Sequence, residues 1–140
     1  MTDKLDKIRQ QIDALDEKLQ VMISERAQLA QQVAEVKLEQ GDAAVFYRPE
    51  REAEVLREVV ARNKGPLSGE EMARLFREIM SACLALEQPL QVAFLGPEGT
   101  FTQAAALKHF GHSAVTVPMT SIGEVFREVE SGGVHYGVVP

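Results

Sequence analysis

The sequence predicts two unlike halves: an all-α bundle of three helices with one very long first helix, then an incomplete α/β segment of βαβαβ order. Three observations carry this. Apolar residues recur in alternating steps of three and four at Leu5, Ile8, Ile12, Leu15, Leu19, Met22, Leu29, Val33 and Val36. That is the seam of a helix that pairs with other helices. Composition then changes at "EQPLQVAF", residues 87–94. Before it glycine is scarce and no strand pattern occurs; after it come short apolar runs and Gly-rich turns. Those runs alternate with helical patterns, the order of a parallel sheet with crossover helices.

Helix one is expected from Asp3 to Glu39. At about 1.5 Å per residue it is roughly 50 Å long, more than an 88-residue domain can cover. The uncovered half of its seam predicts a second copy of the chain, most simply a symmetric homodimer. "EQGDAAVFY" ends helix one, and Pro49 suits the first turn of helix two, "PEREAEVLREVVARN". Gly65 and Pro66 stop it, and Ser68 with Glu71 forms a capping box that opens helix three, "GEEMARLFREIMSACLALE". A boundary falls at Pro89, giving a helical domain over 1–88, a linker at 89–91 and an α/β part over 92–140. That part reads as strand "QVAFLG", helix "TQAAALKHFG", strand "AVTVPM", helix "SIGEVFREVESGG" and strand "VHYGVVP", with a second capping box at Thr100 and Gln103. It stops inside an apolar strand at Pro140, so a longer α/β domain is expected.

The 140 residues carry a net charge of −6, with Lys and Arg interspersed among Asp and Glu. Nucleic acid, which needs a basic face, is not an expected partner. "MTDKLDKIRQ" lacks an apolar signal core, and no apolar run reaches the roughly 20 residues of a membrane span. The single cysteine, Cys83, allows no intrachain disulfide. A reduced, cytoplasmic location is the expectation.

One seam position of helix one, between Met22 and Leu29, is Arg26. Lys37 lies about 16 Å further along the axis and about 20° away in direction, on the same face. Arg9 is about 25 Å from Arg26 and about 100° away, so it can reach an Arg26 site only from an antiparallel second chain. Helix two brings Arg51 and Glu52, and helix three brings Cys83 and, one turn on, Glu87. A cavity lined by these groups would hold positive charge in a confined place, which suits a small ligand with more than one carboxylate. With no Ser-His-Asp pattern, no metal-ligand cluster, and all three histidines in the second half, chemistry there would run on binding and electrostatics, without a nucleophile. Arg26 alone is equally consistent with a buried salt bridge to an acid such as Glu52. The dipole of helix one accounts for Lys37, solvation for Arg9, Arg51 and Glu87, and core packing for Cys83. In the second half, Gly96 and Gly99 would let backbone amides approach an anion at the start of the helix that Thr100 opens; a plain strand-to-helix turn has the same pattern.

"IRQQIDALDEKL", "ISERAQLAQQVAEVK", "RPEREAEVL" and "MARLFREIMSACLALEQ" together resemble the all-helical chorismate mutase family over residues 1–88. "VAFLGPEGTFTQAAALKHFG" and "GVVP" resemble the start of a prephenate dehydratase. This order is that of the bifunctional chorismate mutase–prephenate dehydratases of phenylalanine biosynthesis. The resemblance implies an intertwined dimer with active sites shared between chains. It also implies Arg9 from one chain and Arg26 from the other on the substrate carboxylates, and Lys37 and Glu87 at the ether oxygen. Glu52 would bind the ring hydroxyl and Arg51 would support the pocket. Arg48 and Cys83 fall at substrate-contacting positions where the family often has Asp and Ser, and Glu87 where some members have Gln. Gly99 and Thr100 fall at the dehydratase substrate cleft. The dehydratase Thr-Arg-Phe motif does not occur, so no dehydratase activity is expected of these residues alone. The alternative function is a non-catalytic helical dimerisation module fused to a small-ligand-binding α/β domain.

Overall fold

The computed structural model describes residues 2–39 and 48–140. Its elements are α1 (Thr2–Glu39), α2 (Pro49–Arg62), α3 (Gly69–Glu87), β1 (Gln91–Leu95), α4 (Phe101–Phe110), β2 (Val115–Met119), α5 (Ile122–Ser131) and β3 (Tyr136–Val138). The segment expected to break the first helix, residues 40–47, lies outside the described residues.

The helix ends follow from local chemistry. Pro49 opens α2 with Glu50 and Glu52 in its first turn, where carboxylates favour the dipole. Arg48, the residue before it, offers no side-chain acceptor, and its carbonyl takes the amide of Glu52 at 3.0 Å. Ser68 Oγ accepts from the amide of Glu71 at 3.1 Å. The reciprocal half of that capping box is missing, because the Glu71 carboxylate turns forward to Arg74 at 2.8 Å.

α3 packs against both α2 and α1, and among the described residues each of these three helices has one buried apolar residue: Ala34, Val59 and Cys83. Only the C-terminal third of α1 takes part. Residues 2–25 are exposed along their whole length, and Leu5, Ile8, Ile12, Leu15, Leu19 and Met22 stay 47 to 63% exposed.

β1 is the centre of a parallel sheet of order β2-β1-β3. Val92 packs with Leu90 and Ala106 on the α4 face, and Ala93 with Val125 and Val134 on the α5 face. A strand covered on both sides is a continuous apolar run, as "VAF" is. Pro118 lies in β2 opposite Phe94, tolerable because β2 is an edge strand. β3 is shorter than its apolar run, 134–140, suggested. The amide of Gln91 donates to His135 Nδ1 at 3.0 Å, so a ring nitrogen stands where a ladder carbonyl would, and regular pairing starts at Tyr136.

The second capping box does not form. The Thr100 hydroxyl donates to the Leu95 carbonyl at the end of β1, and Gln103 Oε1 accepts instead from the amide of Gly99 at 2.6 Å.

Candidate active site

A cavity of about 400 Å³ lies between α1, α2 and α3, within the size range of small-molecule sites. α1 supplies Arg26, Leu29, Ala30, Val33 and Lys37. Arg48 and, on α2, Arg51, Glu52 and Val55 line a second side, and Met80, Cys83, Leu84 and Glu87 of α3 complete it. Four cations thus face two carboxylates across an apolar floor. Such a setting favours a polyanion over a neutral ligand, because four cations converge on one apolar-floored cavity and can bind carboxylates by charge-assisted hydrogen bonds.

The two carboxylates differ in their partners. Glu52 has a pKa raised by burial and partly restored by the nearby Arg77 guanidinium. Its Oε1 lies 4.0 Å from Arg77 Nε, an ion pair in which both side chains are largely covered. Arg77 Nε is buried and, among the described residues, has no hydrogen-bond partner. Glu52, the acid expected as a salt-bridge partner for Arg26, is therefore engaged by a cation of α3. Glu87 also has a raised pKa, from burial first, with the neighbouring Lys37 charge opposing. Arg51 points its guanidinium at Glu54, 3.2 Å away in an exposed pair that contributes little.

The cavity brings together Arg26, Lys37, Arg48, Arg51, Glu52, Cys83 and Glu87 from the sequence reading. Arg9 is outside it, on the exposed half of α1. Gly99 and Thr100 are also outside, in the turn between β1 and α4. There the amide of Gly96 is taken by the Met119 carbonyl at 2.8 Å and that of Gly99 by Gln103, so both are already engaged.

Comparison with known proteins bears directly on this cavity. The chorismate mutase type II family model matches residues 8–88, the stretch that builds it. The chain belongs to the chorismate mutase type II family. The prephenate dehydratase model matches residues 92–140, so this is a mutase domain followed by the opening part of a dehydratase domain. A bifunctional chorismate mutase/prephenate dehydratase from Pseudomonas aeruginosa is 66% identical over 99% of this chain, and that of Stutzerimonas stutzeri 64%. The Escherichia coli K12 protein of the same name is 30% identical over 95% of the chain. This chain spans 39% of the length of the first two relatives. A solved chorismate mutase from Thermus thermophilus, 33% identical, superimposes with a TM-score of 0.57, covering 61% of this chain and 94% of its own. Family membership favours the enzyme over a non-catalytic dimerisation module.

Sequence reasoning missed Arg77 in this mutase domain. Arg77, Met80, Leu84 and Glu87 recur in steps of three, four and three and so share one helical face. A cation leading a face that ends in cavity-lining groups was the available signal. The apolar lining of Leu29, Val33 and Val55 was legible as core pattern, without a hint that it faces a cavity. Among the described residues no helix is long and apolar enough to cross a membrane.

Proposed function

We propose that this chain rearranges chorismate to prephenate as a cytoplasmic homodimer, each site completed by the partner subunit's Arg9. The observation that carries this reading is the cavity that gathers Arg26, Lys37, Glu52 and Glu87 from three helices. Support for the dimer is the apolar stripe from Leu5 to Met22, exposed on a helix about 57 Å long at 1.5 Å per residue. An antiparallel second copy would cover the stripe and bring its Arg9 toward Arg26.

The reaction is one pericyclic step: the ether C–O bond breaks as a C–C bond forms, with no covalent intermediate and no net proton transfer. Arg26 and the partner subunit's Arg9 hold the two carboxylates and thereby select the compact, chair-like conformer, a proximity effect. Lys37 donates to the ether oxygen as negative charge grows there, and protonated Glu87 adds a second donor. Glu52, ionised, accepts from the ring hydroxyl, while Arg48, Arg51 and Cys83 contact the substrate at the cavity edge. Together these must supply at least about 8 kcal/mol, the lower end of enzymatic acceleration. Neither cofactor nor metal enters any step. In the longer protein, the α/β part containing Gly99 and Thr100 would belong to a domain that converts prephenate to phenylpyruvate, placing both activities in phenylalanine biosynthesis.

The test is a spectroscopic assay of chorismate loss with the purified chain and with Arg26→Ala. The intact chain should consume chorismate and yield prephenate. Near-normal turnover by a folded Arg26→Ala dimer would overturn the assignment of the site.

A further inference from the structure

The helix that walls the cavity is gripped from behind. On α3, Arg77, Met80, Leu84 and Glu87 face the bundle, whereas Glu78 and Ser81 sit about 140° and about 80° around the helix from the middle of that face and contact the α/β segment. The Glu78 carboxylate accepts the amide of His112 on both oxygens, at 3.3 and 3.0 Å, and its Oε1 lies 2.7 Å from His112 Nδ1. Ser81 is buried, and its Oγ accepts the amide of Ser113 at 3.3 Å. Between these contacts sits Gly111, at φ +86° and so close to α3 that an added Cβ would lie 2.3 Å from Ser81 Cβ. Leu84 belongs to both sides: it lines the cavity and packs against the cluster of Leu90, Val92 and Ala106.

The His112 ring is exposed, so the closer constraint is the buried contact of Gly111 with Ser81, and together these contacts oppose rotation of the helix about its axis. Rotation would break the bonds from the 111–113 turn on one face and, on the other, displace Arg77 from Glu52 and move Cys83 and Glu87 along the cavity wall. Arg77 and Glu78 are adjacent, so the ion pair at the site and the clasp behind it are fixed by one backbone segment.

We infer that Glu78 and His112 are positioning residues for the mutase cavity: the α/β segment, docked through them, sets the rotation of α3 and with it the Arg77–Glu52 pair. This rests on the cavity being the mutase site, and it adds that the opening of the dehydratase part, where present, biases the geometry of the mutase part. The clasp touches no substrate. Its effect is a bias on one packed element, the physical form that coupling between two regions must take.

The intact chain holds a built-in reporter, since Cys83 is its single cysteine and is buried in the cavity wall. The experiment measures the rate of Cys83 alkylation by iodoacetamide, kcat/KM for chorismate, and urea unfolding for the wild type, Glu78→Ala, His112→Ala and His112→Asn. Glu78→Ala should speed alkylation about 3- to 10-fold and lower kcat/KM by a similar factor. His112→Ala, which keeps its amide, should give a smaller change, and His112→Asn, which restores a side-chain donor, should return toward wild type. General destabilisation speeds alkylation only as far as the measured loss of unfolding free energy requires. Acceleration beyond that supports the coupling; acceleration fully accounted for by it, or an unchanged rate and kcat/KM in folded Glu78→Ala, overturns it. A wild-type chain that leaves chorismate untouched would overturn the functional reading, and the alkylation rates would still decide the coupling.

Discussion

Arg77 Nε stands 4.0 Å from Glu52 Oε1 where α3 crosses α2, and it is buried without a hydrogen bond among the described residues. The pair is close enough for strong Coulombic attraction and too long for a hydrogen bond. It partly offsets the burial that pushes this carboxylate toward neutrality. In the proposed mechanism a substrate hydroxyl donating to Glu52 would benefit from that charge, and the pair would prepare an acceptor as well as join two helices.

Replacing Arg77 by Ala should therefore act through Glu52. With the opposing cation gone, only burial remains, and the Glu52 pKa should rise further. Activity requires the ionised acceptor, so the ascending limb of the kcat/KM–pH profile should move to higher pH. Stability carries its own sign. A raised carboxylate pKa adds stability below the unfolded value and loses it as pH rises through the folded value. Arg77→Ala should thus cost about 1–3 kcal/mol by leaving a buried group unpaired, and more at pH 7 than at pH 4. Urea unfolding at the two pH values, together with the pH–rate profile, checks both. An unmoved ascending limb would remove Glu52 from the acceptor role.

Arg26 and Arg9 permit a test by subunit mixing. Each alanine variant alone should lose about 10²- to 10³-fold in kcat, as expected for one charged donor in a confined site. Mixed in equal amounts, half the dimers become heterodimers, and each then has one site with both defects and one with neither. Activity should recover to about one quarter of wild type per chain. Recovery is read by the chorismate assay after exchange is verified by mass-tagged subunits. A lack of recovery would argue that the two arginines do not meet across chains.

The exposed stripe of α1 predicts what a charge does there. Leu15→Asp puts a carboxylate in the middle of the proposed interface, away from every cavity residue. Sedimentation should show a shift from dimer to monomer, and activity should fall with it because the partner subunit's Arg9 departs. Full activity in a monomeric variant would exclude a shared site.

What was legible in the sequence depended on whether its cause was local. The α1 seam is a periodicity, so the helix, its excess length and the common face of Arg26 and Lys37 could all be read directly. The caps were half legible. Ser68 binds the Glu71 amide as its spacing implies, yet the Thr100 hydroxyl is drawn away by the Leu95 carbonyl, which reaches it only once β1 and α4 are folded. β3 was shortened by His135, whose ring replaces a backbone acceptor, something no apolar pattern encodes. Arg77 was hidden for the same reason: a charged residue on an amphipathic helix looks solvated until another helix sets Glu52 against it. The clasp on Glu78 joins residues 34 apart in sequence, and neither has a motif.

Glu87 gives a pH prediction whose sign the structure settles. Burial raises its pKa, and the Lys37 charge, the smaller influence, opposes that. The acid form therefore persists to higher pH than for an ordinary glutamate, near 4.3. If protonated Glu87 donates to the ether oxygen, kcat/KM should fall as pH rises through this elevated value. Its ionised form would face the charge growing on that oxygen. Stability follows the same direction, since a raised carboxylate pKa withdraws its contribution as pH climbs. An amide donates at every pH, so Glu87→Gln should hold kcat/KM level where the wild type declines. It should also remove the matching slope in unfolding free energy. Both profiles need dimer integrity confirmed at each pH, because dissociation would produce a decline of its own. Wild-type and Glu87→Gln profiles that superimpose would leave Lys37 as the sole donor to the breaking bond.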